Sequence, residues 1–135
     1  MNRNEKLQII SEINRFIGQI NSESSLQSLI IVEGKRDYEA LLYLGCYGNI
    51  KTFHNFKNPI DLVDNFRSKY KKLILLLDLD QAGEEMTQKL CNILNQRYID
   101  KQYRTNLKKI TQGKVKTIEE LRSYYNRLSD ELRTF

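Results

Sequence analysis

LILLLDLDQAG, residues 73–83, and LIIVEGKRD, residues 29–37, are built alike. In each, an unbroken aliphatic run (Leu73 to Leu77, Leu29 to Val32) stops at an acid, Asp78 or Glu33. The chain then passes a glycine and enters helical spacing. An aliphatic run without polar alternation is the mark of a strand covered on both faces, as strands are in a parallel sheet. Neither run approaches the roughly 20 apolar residues of a membrane span, so both read as core strands.

Working outward from these strands, helices and strands alternate. Leu7, Ile10, Ile13, Ile17 and Ile20 recur at helical spacing and predict an amphipathic helix over 3–19, followed by a polar linker, NSESS, at 21–25. Ala40, Leu41 and Leu44 predict a helix over 36–44 stopped by Gly45, and Ile50 to Phe53 reads as a second strand. Asn58 and Pro59 have the chemistry of an N-cap and a first helical residue. The helix they open keeps its apolar side through Leu62, Val63, Phe66 and Tyr70. Met86, Leu90, Ile93 and Leu94 predict a helix over 82–96, and Tyr98-Ile99 a short fourth strand. Lys101 to Ile110 reads as a basic helix ended by Gly113. Thr117-Ile118-Glu119-Glu120 is a capping box that opens a last helix to about Arg133.

This order predicts an α/β, Rossmann-like fold: a parallel sheet of about four strands flanked by helices, with right-handed crossovers. A length of 135 residues fits one domain over 1–135. Its parts are an N-terminal helix at 1–20, a core at 26–100 and a basic helical C-terminal extension at 101–135.

In an open parallel sheet, ligands bind outside the carboxyl ends of the strands. Glu33 and Asp78 stand at that end of their strands, and Asp80 follows two residues later. If the two strands are neighbours, three carboxylates crowd one edge, where mutual repulsion favours a neutralising cation. Oxygen ligands without sulfur or imidazole suit magnesium, or manganese in its place. Gly34 and Gly83 lie where strand turns into helix, where a missing Cβ lets backbone approach a ligand. Taken singly, an acid after a strand is as readily a helix cap; the two stretches together, in this order, are specific.

The net charge of +5 is unevenly spread. Residues 1–96 carry 12 basic and 12 acidic side chains, whereas Arg97, Lys101, Arg104, Lys108, Lys109, Lys114 and Lys116 face one acid, Asp100, within twenty residues. Such a concentration points to a polyanionic partner, against the alternative of a solvated helix face. Lys35 and Arg36 directly follow Glu33 and would meet a phosphate there; solvation or a pairing of Lys35 with Glu39 is the other reading. Cys46 and Cys91 are isolated within apolar patterns and read as buried hydrophobes. His54 is the only histidine, so a zinc site or a serine–histidine pair is not expected. The N-terminus, MNRNEKLQII, lacks the apolar stretch of a signal peptide, which predicts a cytoplasmic protein with no membrane partner.

The pairing of LIIVEGKRD with LILLLDLDQAG resembles the Toprim domain, shared by type IA and type II topoisomerases, bacterial-type primases, overcoming-lysogenization-defect nucleases, recombination protein R and ribonuclease M5. The resemblance covers about residues 26–100. It implies Glu33 as general acid/base or metal ligand, and Asp78 and Asp80 as ligands of Mg2+ (or Mn2+). The EGKRD form, with Lys35 and Asp37, looks most like the ribonuclease M5 branch of small stand-alone Toprim proteins. The chain has no room for the separate tyrosine domain of a topoisomerase or the zinc module of a primase.

The expected function is therefore magnesium-dependent binding of nucleic acid and action on its phosphodiesters, RNA (or DNA), with RNA favoured. If the protein is an enzyme, it is a metal-dependent phosphodiesterase or nuclease with Glu33 and Lys35 catalytic. The alternatives are a non-catalytic RNA- or DNA-binding module and a protein-assembly module that keeps the acidic site. A larger protein or ribonucleoprotein assembly, or a homo-oligomer, would be compatible with either.

Overall fold

The computed structural model describes residues 1–23 and 27–133. In chain order the elements are α1 (Arg3–Glu23), β1 (Ser28–Val32), α2 (Lys35–Tyr43), β2 (Asn49–Thr52), α3 (Pro59–Lys69), β3 (Lys72–Leu76), α4 (Gln81–Ile93), β4 (Ile99–Asp100), α5 (Gln102–Ile110) and α6 (Ile118–Arg133). Short 3-10 turns lie at Phe53–Asn55 and Gln96–Tyr98. The four strands form one sheet in the order β2-β1-β3-β4, and every pairing is parallel. The chain steps from β1 outward to β2 and returns to the other flank of β1 with β3. The strand order thus reverses between β1 and β3, and a sheet of this kind opens its ligand crevice at such a point.

Two helical layers cover the sheet, as the unbroken aliphatic runs require. Ile30, Val32, Ile74 and Leu76 pack with Ile13, Phe16, Leu41, Leu107 and Leu121 on the face of α1, α2, α5 and α6. Leu29, Ile31, Leu73 and Leu75 pack with Leu62, Val63, Phe66 and Leu90 on the face of α3 and α4. All five residues of β1 are buried. Truncating one of these central side chains, Ile31 for example, to alanine would cost about 2–5 kcal/mol through lost burial and the cavity left behind.

Element edges differ from the sequence reading by a few residues. The first helix continues through Asn21–Glu23, the start of the expected linker, because polar side chains can still satisfy its last turn. Ser22 Oγ donates to the Gln19 carbonyl at 2.7 Å, while Asn21 Nδ2 donates to the Gly45 carbonyl at 3.0 Å and so ties the helix end to the loop after α2. The rest of that linker, 24–25, lies outside the described residues. Phe53 leaves β2 for the 3-10 turn. The last helix begins as its capping box predicts, with Thr117 Oγ1 accepting from the Glu120 amide at 3.0 Å. Gly45 ends α2 with φ near 101°, a left-handed conformation that favours glycine.

Candidate metal and nucleic-acid site

Glu33 is the first residue past β1, and its side chain is 22% exposed. Its carbonyl accepts from the His54 amide at 3.2 Å, and His54 Nε2 lies 3.5 Å from Glu33 Oε2. His54 reaches this edge because it follows β2, the strand beside β1. The same strand-end rule that singles out Glu33 would have found it. Asp37 is buried and accepts from two amides, Gly34 at 3.1 Å and Glu119 at 3.0 Å. Its carboxylate thereby ties the first turn of α2 to the first turn of α6.

The register sets Val32 opposite Leu76, which brings Glu33 alongside the segment that follows β3. That segment does not stay extended: the chain bends at Leu79 and Asp80. Asp80 becomes the N-cap of α4, its Oδ1 accepting from the Gly83 amide at 2.8 Å. Leu79 N–H donates to the Lys116 carbonyl at 2.6 Å, pinning the bend to the loop before α6. Gly83 is needed for this shape. A Cβ there would stand 1.9 Å from the Asp78 carbonyl oxygen. The close approach glycine permits is therefore to the chain's own backbone rather than to a ligand. At Gly34 a Cβ would meet the His54 ring at 3.2 Å.

Asp78 records the crowding. Burial, and then the charges of Asp37, Glu33, Asp80 and Glu120, push its carboxyl up to about 7. The three predicted acids are thus brought within electrostatic reach, with Asp37 and Glu120 added. Among the described residues, no group of three histidine, cysteine or carboxylate side chains is drawn together to hold an ion alone. Magnesium needs no such cage, since it keeps several waters and takes one or two carboxylates. An oxygen donor set with surplus negative charge around Asp78 fits a hard divalent cation.

The predicted basic residues do not form one surface. Arg104 is turned inward, its side chain 11% exposed. Its Nε donates to the Leu77 carbonyl at 3.1 Å and its Nη2 to the Asp78 carbonyl at 2.6 Å, while Nη1 pairs with Glu84. It holds the acidic bend from behind. Lys108, one turn along α5, shares with Asp80, Gln81, Glu84 and Arg104 a cleft of about 470 Å³. Lys109 does not line that cleft: it borders Glu12 and Arg15 of α1 on one side and shares a second cleft with Glu84, Lys101 and Arg104 on the other. Lys101, Lys114 and Lys116 are exposed, and Arg97 lies against Tyr98 at the other end of the sheet. Lys35 and Arg36 are exposed beside Glu33, with Arg36 3.7 Å from Glu119. Cys46 and Cys91 are buried, as their apolar surroundings predict.

Comparison with known proteins agrees with this geometry. The Toprim domain model matches residues 28–110. A UPF0292 protein of Pyrococcus horikoshii is 34% identical over 123 residues, covering 89% of this chain and 91% of its own. A UPF0292 protein of Pyrococcus abyssi is 38% identical over 103 residues, 74% of this chain and 76% of that one. A solved structure of a protein from Aquifex aeolicus superposes with a TM-score of 0.66 at 33% identity, over 78% of this chain and 94% of that chain. Toprim domains are metal-binding and serve nucleic-acid-related functions. With its switch-point crevice, its glutamate after β1 and its Asp-x-Asp bend after β3, the chain belongs to the Toprim domain family, among the small UPF0292 proteins.

Proposed function

We propose that this protein binds nucleic acid through Mg2+ (or Mn2+) at the acidic edge and cleaves a phosphodiester there, with RNA as the favoured substrate. The observation that supports this reading is the cleft lined by both Asp80 and Lys108, where a carboxylate and an ammonium stand close enough to serve one metal-bound phosphate. Asp78 and Asp80, with Glu33, would hold the ion, which when bound would neutralise a phosphate and acidify a water. Glu33 would take or give the proton at the reacting oxygen. His54, 3.5 Å from its carboxylate, would steady it in that position. Lys35 and Arg36, directly after Glu33, would bind the phosphate flanking the scissile one. Lys108 would position the backbone from the α5 side, with Lys101, Lys114 and Lys116 extending the contact. Arg104 acts on the bend rather than on the nucleic acid.

The preference for RNA rests on the EGKRD resemblance, so both nucleic acids belong in the test. Labelled RNA and DNA, single-stranded and duplex, are incubated with protein in magnesium, manganese or chelator. Cleavage of RNA that requires the metal and falls at least about 100-fold in Glu33→Gln, with binding kept, is the expected result. Binding without cleavage under every condition would contradict the catalytic role and leave a binding module.

A further inference from the structure

A second concave surface lies at the opposite end of the sheet. Phe66, Arg67 and Tyr70 come from the end of α3, and Lys71 from the step into β3. Leu94 and Asn95 follow α4, and Tyr98 precedes β4. Together they line a groove of about 410 Å³ at the amino ends of β3 and β4. Asp78 follows β3 at its other end, roughly 20 Å away along the strand. The groove is therefore a site of its own.

Its chemistry is specific in three ways. Phe66 and Leu94 are buried and give an apolar floor, while Tyr70 and Tyr98 are half-buried on its walls. Cations gather at those rings: the Lys51 ammonium lies 5.9 Å from the Tyr70 ring centre, and the Arg97 guanidinium lies 4.7 Å from that of Tyr98. Arg97 also donates to the Tyr98 hydroxyl at 2.6 Å. Finally, Arg67 and Lys71 are exposed, no acid lines the groove, and among the described residues neither these two nor Arg97 makes an ion pair.

A ligand matching such a groove is planar, with a polarisable face for the tyrosines, and carries a negative charge beside that face. We propose that the groove holds an unpaired base of single-stranded nucleic acid, with the adjoining phosphate on Arg67, Lys71 and Arg97. A base offers its face only when unstacked from a duplex, and ring stacking with basic neighbours is how proteins hold single strands. Asn95 spends its Oδ1 on the Arg97 amide at 3.1 Å, which leaves its NH2 donors for a base edge. The groove needs no metal, so it is testable apart from the acidic site.

The experiment uses the full chain in chelator with a ten-nucleotide single strand carrying one 2-aminopurine, whose fluorescence is quenched when the base stacks on an aromatic ring. The parent is expected to quench it on saturation. Tyr98→Leu keeps apolar bulk and is expected to lose most of the quench and about 5- to 100-fold in affinity. Arg67→Ala with Lys71→Ala, both exposed and safe for folding, is expected to weaken binding and lower the log–log salt slope by about 1.4. Quench and affinity unchanged in the Tyr98 variant, or a salt slope unchanged in the Arg67/Lys71 variant, would overturn the proposal. So would a duplex or a free nucleoside monophosphate competing as well as the strand itself.

Discussion

The Arg104 guanidinium donates to the Asp78 carbonyl at 2.6 Å, reaching from α5 across 26 residues of sequence. The same group takes the Leu77 carbonyl and the Glu84 carboxylate. Two backbone acceptors at the mouth of the acidic bend thus depend on one side chain. Arg104→Met is expected to cost about 2–3 kcal/mol in urea unfolding, since charged hydrogen bonds are lost and partly buried carbonyls go unpaired. Arg104→Lys should recover only part, because an ammonium cannot reproduce the planar fork. Divalent-ion affinity should fall several-fold in both as the bend loosens.

Asp78 carries a pH signature whose sign is fixed by its raised pKa. Between its ordinary value of 3.8 and about 7, the folded chain keeps a proton that the unfolded chain has released. The contribution of this group to stability is complete below about 3.8 and is lost as pH rises through about 7. Asp78→Asn should therefore raise the Tm relative to the parent increasingly from pH 5 to pH 8. After solvent screening the gain at pH 8 should be about 1 kcal/mol. A difference that shrinks with rising pH would contradict the crowding of carboxylates.

Gly83 and Gly34 should respond very differently to a methyl group. Gly83→Ala drives a Cβ into the Asp78 carbonyl, which is backbone, and is expected to cost more than about 3 kcal/mol or abolish folding. Gly34→Ala meets only the end of the His54 ring and should stay within about 1 kcal/mol. Thermal unfolding of the two variants side by side checks this.

The sheet's centre was legible because β1 and β3 are buried on both faces, which leaves an aliphatic run no polar break. The flanks were harder. β2 is an edge strand with three of its four residues not buried, and β4 is two residues long, so neither has a period to read. Glu33, Asp78 and Asp80 could be found from strand ends alone. His54 obeys the same rule, but a lone histidine in sequence reads first as a missing zinc or nucleophile partner rather than as a neighbour of Glu33. Arg104 shows what a charge count cannot supply: it lies in a basic run, yet its register on α5 turns it inward, while Lys108 lines the cleft with Asp80 and Lys109 does not.

That division of α5 gives a prediction for salt dependence. Lys108→Ala is expected to lower the log–log salt slope of nucleic-acid binding by about 0.7–0.9, the loss of one phosphate contact. Lys109→Ala should lower it less, because Lys109 lines the neighbouring clefts and not the one that Asp80 lines. Equal effects from both would place the backbone across the whole helix rather than at the acidic edge.

The central claim is that Asp78 and Asp80 hold the divalent ion, and calorimetric titration of Mn2+ into the parent and into Asp78→Asn with Asp80→Asn tests it most directly. The parent should bind one ion with a measurable heat, displaced by magnesium, and the double variant, folded with an equal or higher Tm, should give none. An undiminished manganese isotherm in the double variant would contradict the account and put the ion elsewhere on the molecule.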